Sequence, residues 1–547
     1  MKTNVSLCIA AALMVVACGD PSHRHNSGEK VSVINSTPDE VIEEDVEITS
    51  NEAALMEPSA NATSKMILSS PPPPQQRNAE TYKEIKENSF VAVAQQPVTT
   101  FSADVDRAAY ANVRRIIGYG QIPPKDAVRI EEMVNYFDYD YPAPEEGSAS
   151  PLRVSPELAP APWNPNHLLL RIGLQAKKID LAKAPPSNIV FLIDVSGSMD
   201  EENKLPLLKS SFKMLLGQLR PDDKIAIVTY ANGTKVALPS TSVKDKEKII
   251  KVLDNLYASG GTSGGRGIQL AYEQAQKSFI KNGNNRIILA TDGDFNIGIN
   301  NTTDLEKFIE KQRESGIYMS VLGFGIGNYR DDMAETIADK GNGNYAYIDN
   351  ITEAKKVLVN ELSGTLFAVA KDVKLQLEFN PKYVKEYKLI GYENRMLANE
   401  DFTNDKKDAG EIGAGHTVTA LYELVPSDGK VAQSLRYQSQ ELNEKGKGNE
   451  LGFLKIRYKD PKVKDAKSVE ITEPLVFNKK ALKETSTDYR FAASVAEFGI
   501  LLRDNSNKAN ATYDQVIELA EGAIGKDPEG YRKEFVRLVK SVKMLPK

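Results

Sequence analysis

The chain has 547 residues, of which 41% are hydrophobic and 26% are charged, and its formal net charge at neutral pH is −6. This length exceeds what one hydrophobic core usually serves, so two or three folded units are expected. The acidic balance and the lack of a basic stripe exclude a nucleic-acid-binding surface.

Residues 1–18 predict a lipoprotein signal peptide. Lys2 precedes the apolar run Val5 to Ala17, which is too short to cross a bilayer but has the length of a signal-peptide core. The run ends in Val15-Val16-Ala17-Cys18, which resembles the bacterial lipobox, so Cys18 is the expected site of lipidation. The other cysteine, Cys8, lies in the segment to be removed, which leaves the mature chain without a disulfide. The alternative is an ordinary secretory signal in which Cys18 is incidental.

Residues 19–85 predict a disordered tether, because they lack apolar periodicity, are rich in Ser, Asn and Glu, and include the run Pro71 to Pro74. Residues 86–150 form a predicted N-terminal helical region. Ordered structure is expected from about Phe101, with one helix after Asp104 and a second over Ala127 to Phe137. Residues 151–185 then predict strands on either side of a proline-rich turn.

Residues 186–369 alternate buried strands with amphipathic helices, which predicts an α/β fold with a doubly wound, mainly parallel sheet. The predicted strands are Ile189 to Asp194, Ile225 to Ala231, Arg286 to Thr291, Tyr318 to Phe324 and Asn344 to Ile348. Over residues 370–484, apolar and polar residues alternate with a period of two, which predicts a β-sandwich. The strands of residues 151–185 are expected to join it. Residues 485–547 predict a C-terminal helical region.

Three polar loops lie next to the predicted strands and helices of this domain. Asp194 to Ser198 follows the first strand, Gly260 to Gly265 precedes a helix, and Thr291 to Gly293 ends the strand that begins at Arg286. Ligands bind at the carboxyl ends of the strands in open parallel sheets. The carboxylate and hydroxyl oxygens in these loops are ligands that a hard cation prefers, and the glycines permit close approach of the backbone. The alternative is that these polar residues only cap helices and turns.

The three loops together resemble the metal-ion-dependent adhesion site of the von Willebrand factor type A domain. The resemblance implies that Asp194, Ser196, Ser198, Thr262 and Asp292 hold Mg²⁺, or another divalent cation such as Mn²⁺ or Ca²⁺. It also implies a protein partner that supplies a Glu or Asp carboxylate. The segments Tyr110 to Ile117, Arg129 to Phe137 and Asp408 to Tyr422 further resemble bacterial YfbK-type lipoproteins.

The leading functional hypothesis is a non-enzymatic, lipid-anchored binding protein of the cell envelope that engages a protein through the cation. One alternative is an envelope scaffold or assembly factor with a structural metal. Another is a metal-assisted phosphoester hydrolase, but no catalytic residue is assigned, because Ser196 stands where such a mechanism needs a second acidic group. No nucleotide site is expected. The outer membrane is the expected location, with the leaflet undetermined.

Overall fold

The computed structural model describes residues 80–103, 106–261, 264–293, 302–327, 329–428, 448–463, 466–504 and 508–546. Cys18, most of the predicted tether, Asp104 and Thr262 lie outside the described residues. The described residues fall within one compact unit, Pro74–Lys547. None of the helices in the described ranges has the length and apolar character that crossing a bilayer requires.

The regular elements are defined by the following residues. The strands, in chain order, are β1 (Val91–Ala92), β2 (Val98–Ser102), β3 (Leu152–Ala161), β4 (Asn164–Ala176), β5 (Ser187–Asp194), β6 (Lys224–Tyr230), β7 (Thr234–Ser242), β8 (Asn284–Thr291), β9 (Ile317–Gly323), β10 (Tyr345–Tyr347), β11 (Ala368–Phe379), β12 (Val384–Ile390), β13 (Gly410–Gly413), β14 (Thr417–Pro426), β15 (Glu450–Lys459) and β16 (Val469–Val476). The α-helices are α1 (Ala108–Gly118), α2 (Ile130–Asn135), α3 (Leu205–Gln218), α4 (Lys246–Asp254), α5 (Gly264–Lys277), α6 (Thr302–Arg313), α7 (Asp331–Lys340), α8 (Ile351–Lys355), α9 (Leu362–Leu366), α10 (Thr487–Leu502), α11 (Tyr513–Glu521) and α12 (Tyr531–Met544).

The central domain is built on a six-stranded sheet with the strand order β10-β9-β8-β5-β6-β7. Its pairings are parallel except for that of β6 with β7, which is antiparallel. The predicted α/β class with a mainly parallel sheet is therefore confirmed. The sequence did not indicate β7, where Pro239 interrupts the apolar pattern; proline is tolerated here because β7 is an edge strand.

Both faces of this sheet are covered by helices. Along β5, Ile189, Phe191 and Ile193 point into a core that includes residues of α3 and α4. Val190 and Leu192 point into the opposite core, which includes residues of α5, α6 and α7. A strand buried on both faces needs no polar alternation, which explains the continuous apolar run in the sequence.

The predicted β-sandwich consists of two sheets. One has the order β1-β12-β14-β4-β3, and the other has the order β13-β11-β15-β16 with β2 also paired to β11. Side chains of both sheets meet in one core, among them Leu170 and Val418 from the first sheet and Leu375 and Leu454 from the second. Strands β3 and β4 pair with each other, and β4 also pairs with β14, so both strands lie in the first of these sheets.

The N-terminal part of the folded unit differs from the prediction in two respects. The region 86–150 contains β1 and β2, which pair with β12 and β11 and so belong to the sandwich. Ordered structure also begins before residue 86, because the Glu80 carboxylate is buried 2.8 Å from the guanidinium of Arg115 and the Thr81 N–H donates to the carbonyl of Tyr329. These short segments are stabilised by partners distant in sequence, so their own patterns do not reveal them.

The N-terminal and C-terminal helical regions form one core. Tyr110 of α1 and Phe137, which follows α2, pack with aromatic residues of α10 and α12. The ring centroids of Phe137 and Phe491 are 4.8 Å apart, and those of Phe137 and Phe535 are 5.7 Å apart. The two ends of the described chain therefore stabilise each other beside the α/β domain and the sandwich.

Candidate metal centre

The candidate site lies at the carboxyl edge of the parallel sheet. Asp194 is the last residue of β5, and Asp292 directly follows Thr291, the last residue of β8. These strands are neighbours, with Ile193 opposite Ala290, so both carboxylates emerge at the same edge. The sheet topology thus brings together two acidic residues that are almost one hundred positions apart in sequence.

The glycine-rich loop is held against the first loop. The Gly197 N–H donates to the carbonyl of Gly260 at 2.8 Å, and the Gly261 N–H donates to Asn232 Oδ1 at 2.6 Å. Gly260 has φ +79, and a Cβ there would lie 2.3 Å from Asn232 Nδ2, so this approach requires glycine. Thr262 follows this loop directly but lies outside the described residues, and its part in the site stays a prediction.

Asp194 is fully buried, and within the described residues one of its carboxylate oxygens makes no well-formed hydrogen bond. Oδ1 accepts a hydrogen bond from the Ser196 N–H at 2.8 Å, and Oδ2 is the oxygen without a well-formed partner among these residues. Burial raises the pKa of Asp194 to about 6; hydrogen bonding from Ser196 and from the Tyr230 hydroxyl opposes this shift, and the negative charge of Asp292 adds to it. An enclosed carboxylate oxygen without a partner is energetically costly unless a cation or another donor contacts it.

Two hydroxyl groups lie in the same loop. Ser196 Oγ and Ser198 Oγ are 3.0 Å apart, with Ser196 buried and Ser198 exposed to solvent. Together with Asp194 Oδ2 they form a set of carboxylate and hydroxyl oxygens, which fits a hard divalent cation. Asp200 and Arg266, two polar residues near these loops, are exposed at the rim.

Lys204 is part of this site, although no motif in the sequence indicates it. Its ammonium Nζ lies 3.3 Å from Asp292 Oδ2, 2.9 Å from the carbonyl oxygen of Ser198 and 3.3 Å from Glu201 Oε1. The Lys204 residue is only 5% exposed. The sequence spacing between Lys204 and the loop residues does not predict that the lysine lies in the site, because its side chain reaches the site across the turn that precedes α3.

A second acidic group occurs elsewhere in the described ranges. Asp106, Glu132 and Glu335 are buried and have carboxylate oxygens within 4.8 Å of one another. Arg395 contacts Asp106 at 3.0 Å and Glu335 at 3.3 Å, and Arg129 is paired with Glu132. Each of these carboxylates is therefore paired with one of two arginines, which makes the cluster a buried ion-pair network distinct from the predicted site.

Three family models match successive parts of the chain. The model described as von Willebrand factor type A domain matches residues 188–360, which cover the six-stranded sheet and its helices. A model described as von Willebrand factor matches residues 76–171, and one described as Uncharacterized protein YfbK, C-terminal matches residues 364–545. The fold and the sequence together define a von Willebrand factor type A domain protein, a class whose members generally mediate protein–protein interactions.

Comparison with individual proteins places the chain more narrowly. It is 48% identical over 465 residues to Uncharacterized protein YfbK of Escherichia coli strain K12, covering 84% of this chain and 80% of that one. It is 26% identical to Uncharacterized protein sll0103 of Synechocystis, covering 60% of this chain and 74% of the relative. The chain belongs to the YfbK family of von Willebrand factor type A domain proteins.

Among solved structures, a von Willebrand factor type A protein from Catenulispora acidiphila is 14% identical. The superposition covers 84% of this chain and 91% of that chain, with a TM-score of 0.39. A similarity of this strength adds nothing to the family assignment.

Proposed function

We propose that this protein is a lipid-anchored binding protein that engages an acidic protein partner through a divalent cation at the sheet edge. Asp194, Ser196, Ser198, Thr262 and Asp292 hold the cation in this proposal, with Mg²⁺ as the expected ion and Mn²⁺ or Ca²⁺ as alternatives. The observation that carries it is the buried Asp194 Oδ2, which makes no well-formed hydrogen bond among the described residues, in the same loop as the hydroxyls of Ser196 and Ser198. A purely structural capping role for Asp194 leaves that oxygen unexplained.

The hydroxyl and carboxylate groups of the site have different roles in binding the cation. The hydroxyls of Ser196 and Ser198 add oxygen ligands without adding negative charge, so the two carboxylates only neutralise a dication. A bound dication of this kind supplies an electrophilic position for a carboxylate from the partner. Specificity for an acidic partner follows, because a neutral side chain has less attraction for that position.

A groove beside the site offers room for the rest of the partner. It has a volume of about 330 Å³ and is lined by residues that include Val195, Asn232, Tyr257 and Ser259. Tyr257 is 72% exposed and so presents an aromatic surface at the groove that a partner can cover. A carboxylate at the site can therefore be accompanied by neighbouring residues in the groove.

The capture of partners is expected to require the cation. In intact cells treated with a crosslinker, the tagged full chain should recover a defined set of proteins with Mg²⁺ present and lose them when EDTA is added. Asp292→Ala should cause the same loss, whereas Asp514→Ala, which removes an exposed carboxylate from α11, should not. Recovery that survives both EDTA and Asp292→Ala contradicts the proposal and favours a scaffold that binds through the sandwich.

The anchor is proposed at Cys18, in the bacterial outer membrane. Cells that express the wild-type chain should carry it in the membrane fraction and incorporate a radiolabelled fatty acid into it, because a lipidated cysteine attaches the chain to the bilayer. Cys18→Ser should abolish the label, and Cys8→Ser should leave it unchanged. Equal labelling of wild type and Cys18→Ser contradicts the anchor without affecting the proposal for the metal site.

A further inference from the structure

Lys204 holds a charged group inside the candidate site. Its ammonium contacts Asp292 Oδ2 and the carbonyl of Ser198, both of which belong to the loops that form the site. The third contact, Glu201, is 53% exposed at its side chain, so it contributes less than the buried carboxylate of Asp292. A lysine is rarely buried to this extent unless it is paired, and here its buried acidic partner is one of the five predicted metal residues.

The aliphatic part of the Lys204 side chain packs closely against a glycine. Gly325, which follows β9, has φ +79, and a Cβ at that position would lie 2.3 Å from Lys204 Cε. The carbonyl of Gly325 accepts a hydrogen bond from the hydroxyl of Tyr347, which fixes this backbone against β10. Packing on the glycine therefore directs the ammonium to Asp292 and restricts its movement away from the site.

The positive charge of Lys204 changes the net charge of the site. Among the buried groups, two carboxylates and a dication sum to zero formal charge, and the lysine ammonium adds one positive charge, which the solvent-exposed Glu201 balances only in part. Like charges a few ångströms apart in a partly buried site repel each other strongly, so the lysine opposes binding of the cation. An anion from the partner removes the surplus charge and so favours binding of the cation.

We propose that Lys204 is a built-in competitor of the divalent cation, which weakens the site until an anionic group binds together with the metal. The inference rests on the proposed function and adds a coupling to it: metal and carboxylate each raise the affinity for the other. The coupling makes the site selective for acidic partners. An ion pair with only a structural role stabilises the fold but leaves the affinity for the metal unchanged.

The test compares Mn²⁺ binding to full-length variants, with free Mn²⁺ measured by electron paramagnetic resonance. Each protein is titrated in potassium chloride and in potassium acetate of equal ionic strength, with acetate as the carboxylate probe. Lys204→Met is the main variant, and Lys204→Gln, which keeps a polar group near the Ser198 carbonyl, covers the case in which Lys204→Met does not fold. Lys213→Met is the matched control, since it removes the same charge from a partly exposed position on α3, where the lysine pairs with Asp254.

In chloride, Lys204→Met and Lys204→Gln should bind Mn²⁺ at least about tenfold more tightly than wild type, because a nearby positive charge has been removed. Acetate should tighten binding severalfold in wild type and Lys213→Met, and less in the Lys204 variants. Folded Lys204 variants that bind Mn²⁺ no more tightly than wild type in chloride overturn the inference while leaving the proposed metal site intact. If neither wild type nor the variants bind Mn²⁺ in either salt, the proposed function fails and this inference fails with it.

Discussion

Asp194→Ala is expected to lower the affinity of the full chain for Mn²⁺ by at least about 100-fold, since even loss of an outer contact of a metal site commonly costs 10- to 100-fold. Asp194 is the buried carboxylate whose Oδ2 makes no well-formed hydrogen bond among the described residues, so alanine removes the acidic oxygen that the proposal assigns to the cation. Calorimetric titration of wild type and variant measures the change.

The same variant should remain folded in the absence of metal. Removing the buried carboxylate also removes its cost of burial, which offsets the loss of the acceptor for the Ser196 N–H, and the ion pair of Asp292 with Lys204 is retained. Circular dichroism should therefore show a cooperative transition with a melting temperature close to that of metal-free wild type. Asp200→Ala, which removes an exposed carboxylate at the rim, is the control and should bind Mn²⁺ as wild type does. An Asp194→Ala chain that is folded and retains wild-type affinity contradicts the assignment of the site.

The second large effect is expected at Glu497, a buried glutamate on α10. It is fully buried, and neither carboxylate oxygen makes a well-formed hydrogen bond within the described residues. Burial raises the pKa of Glu497 from its ordinary value near 4.5 to about 8, and the backbone of Thr512 only partly opposes this shift. Because the folded state retains the proton longer than the unfolded state, Glu497 makes the chain less stable as pH rises from about 4.5 to about 8.

Glu497→Gln carries no titratable group, so it should escape this loss. The difference in the free energy of unfolding between the variant and wild type should increase by about 1.4 kcal/mol per pH unit between pH 5 and 8, and should level off outside that range. Denaturant unfolding of both chains at several pH values measures it. Glu518→Gln, on the exposed side of α11, should show no such slope. A constant difference between Glu497→Gln and wild type across this range contradicts the raised pKa.

Much of the fold can be predicted from the spacing of apolar residues along the sequence. Strands buried on both faces, such as β5, produce apolar runs that no other element of this length explains, and the polar loops at their carboxyl ends are then adjacent by topology. The apolar spacing over Thr352 to Phe367 predicts one continuous helix, but the structure divides this segment into α8, a π-helical segment Lys356–Asn360 and α9. Helical spacing continues across the π-helical segment, so the apolar pattern does not reveal the interruption.

Strands that depend on distant partners were not predicted. β2 contains two threonines and a serine around Phe101, and it is stabilised by pairing with β11, where Phe101 lies opposite Leu375. β1 has only two residues and pairs with β12. The stability of these strands comes from hydrogen bonds to a partner strand that is distant in sequence. Their own residues therefore do not indicate that they are strands.

The class of the central domain and the residue types that the candidate metal centre needs can be predicted from the sequence, because both follow from local pattern and order along the chain. The predicted order puts Asp194, Ser196, Ser198 and Asp292 at strand ends, where a parallel sheet brings them to one edge. The proximity of Lys204 to these residues, in contrast, is visible only in the folded chain. Its ammonium reaches Asp292 because the stem packs on Gly325 after a different strand, and charge balance in a site depends on such distances rather than on sequence spacing.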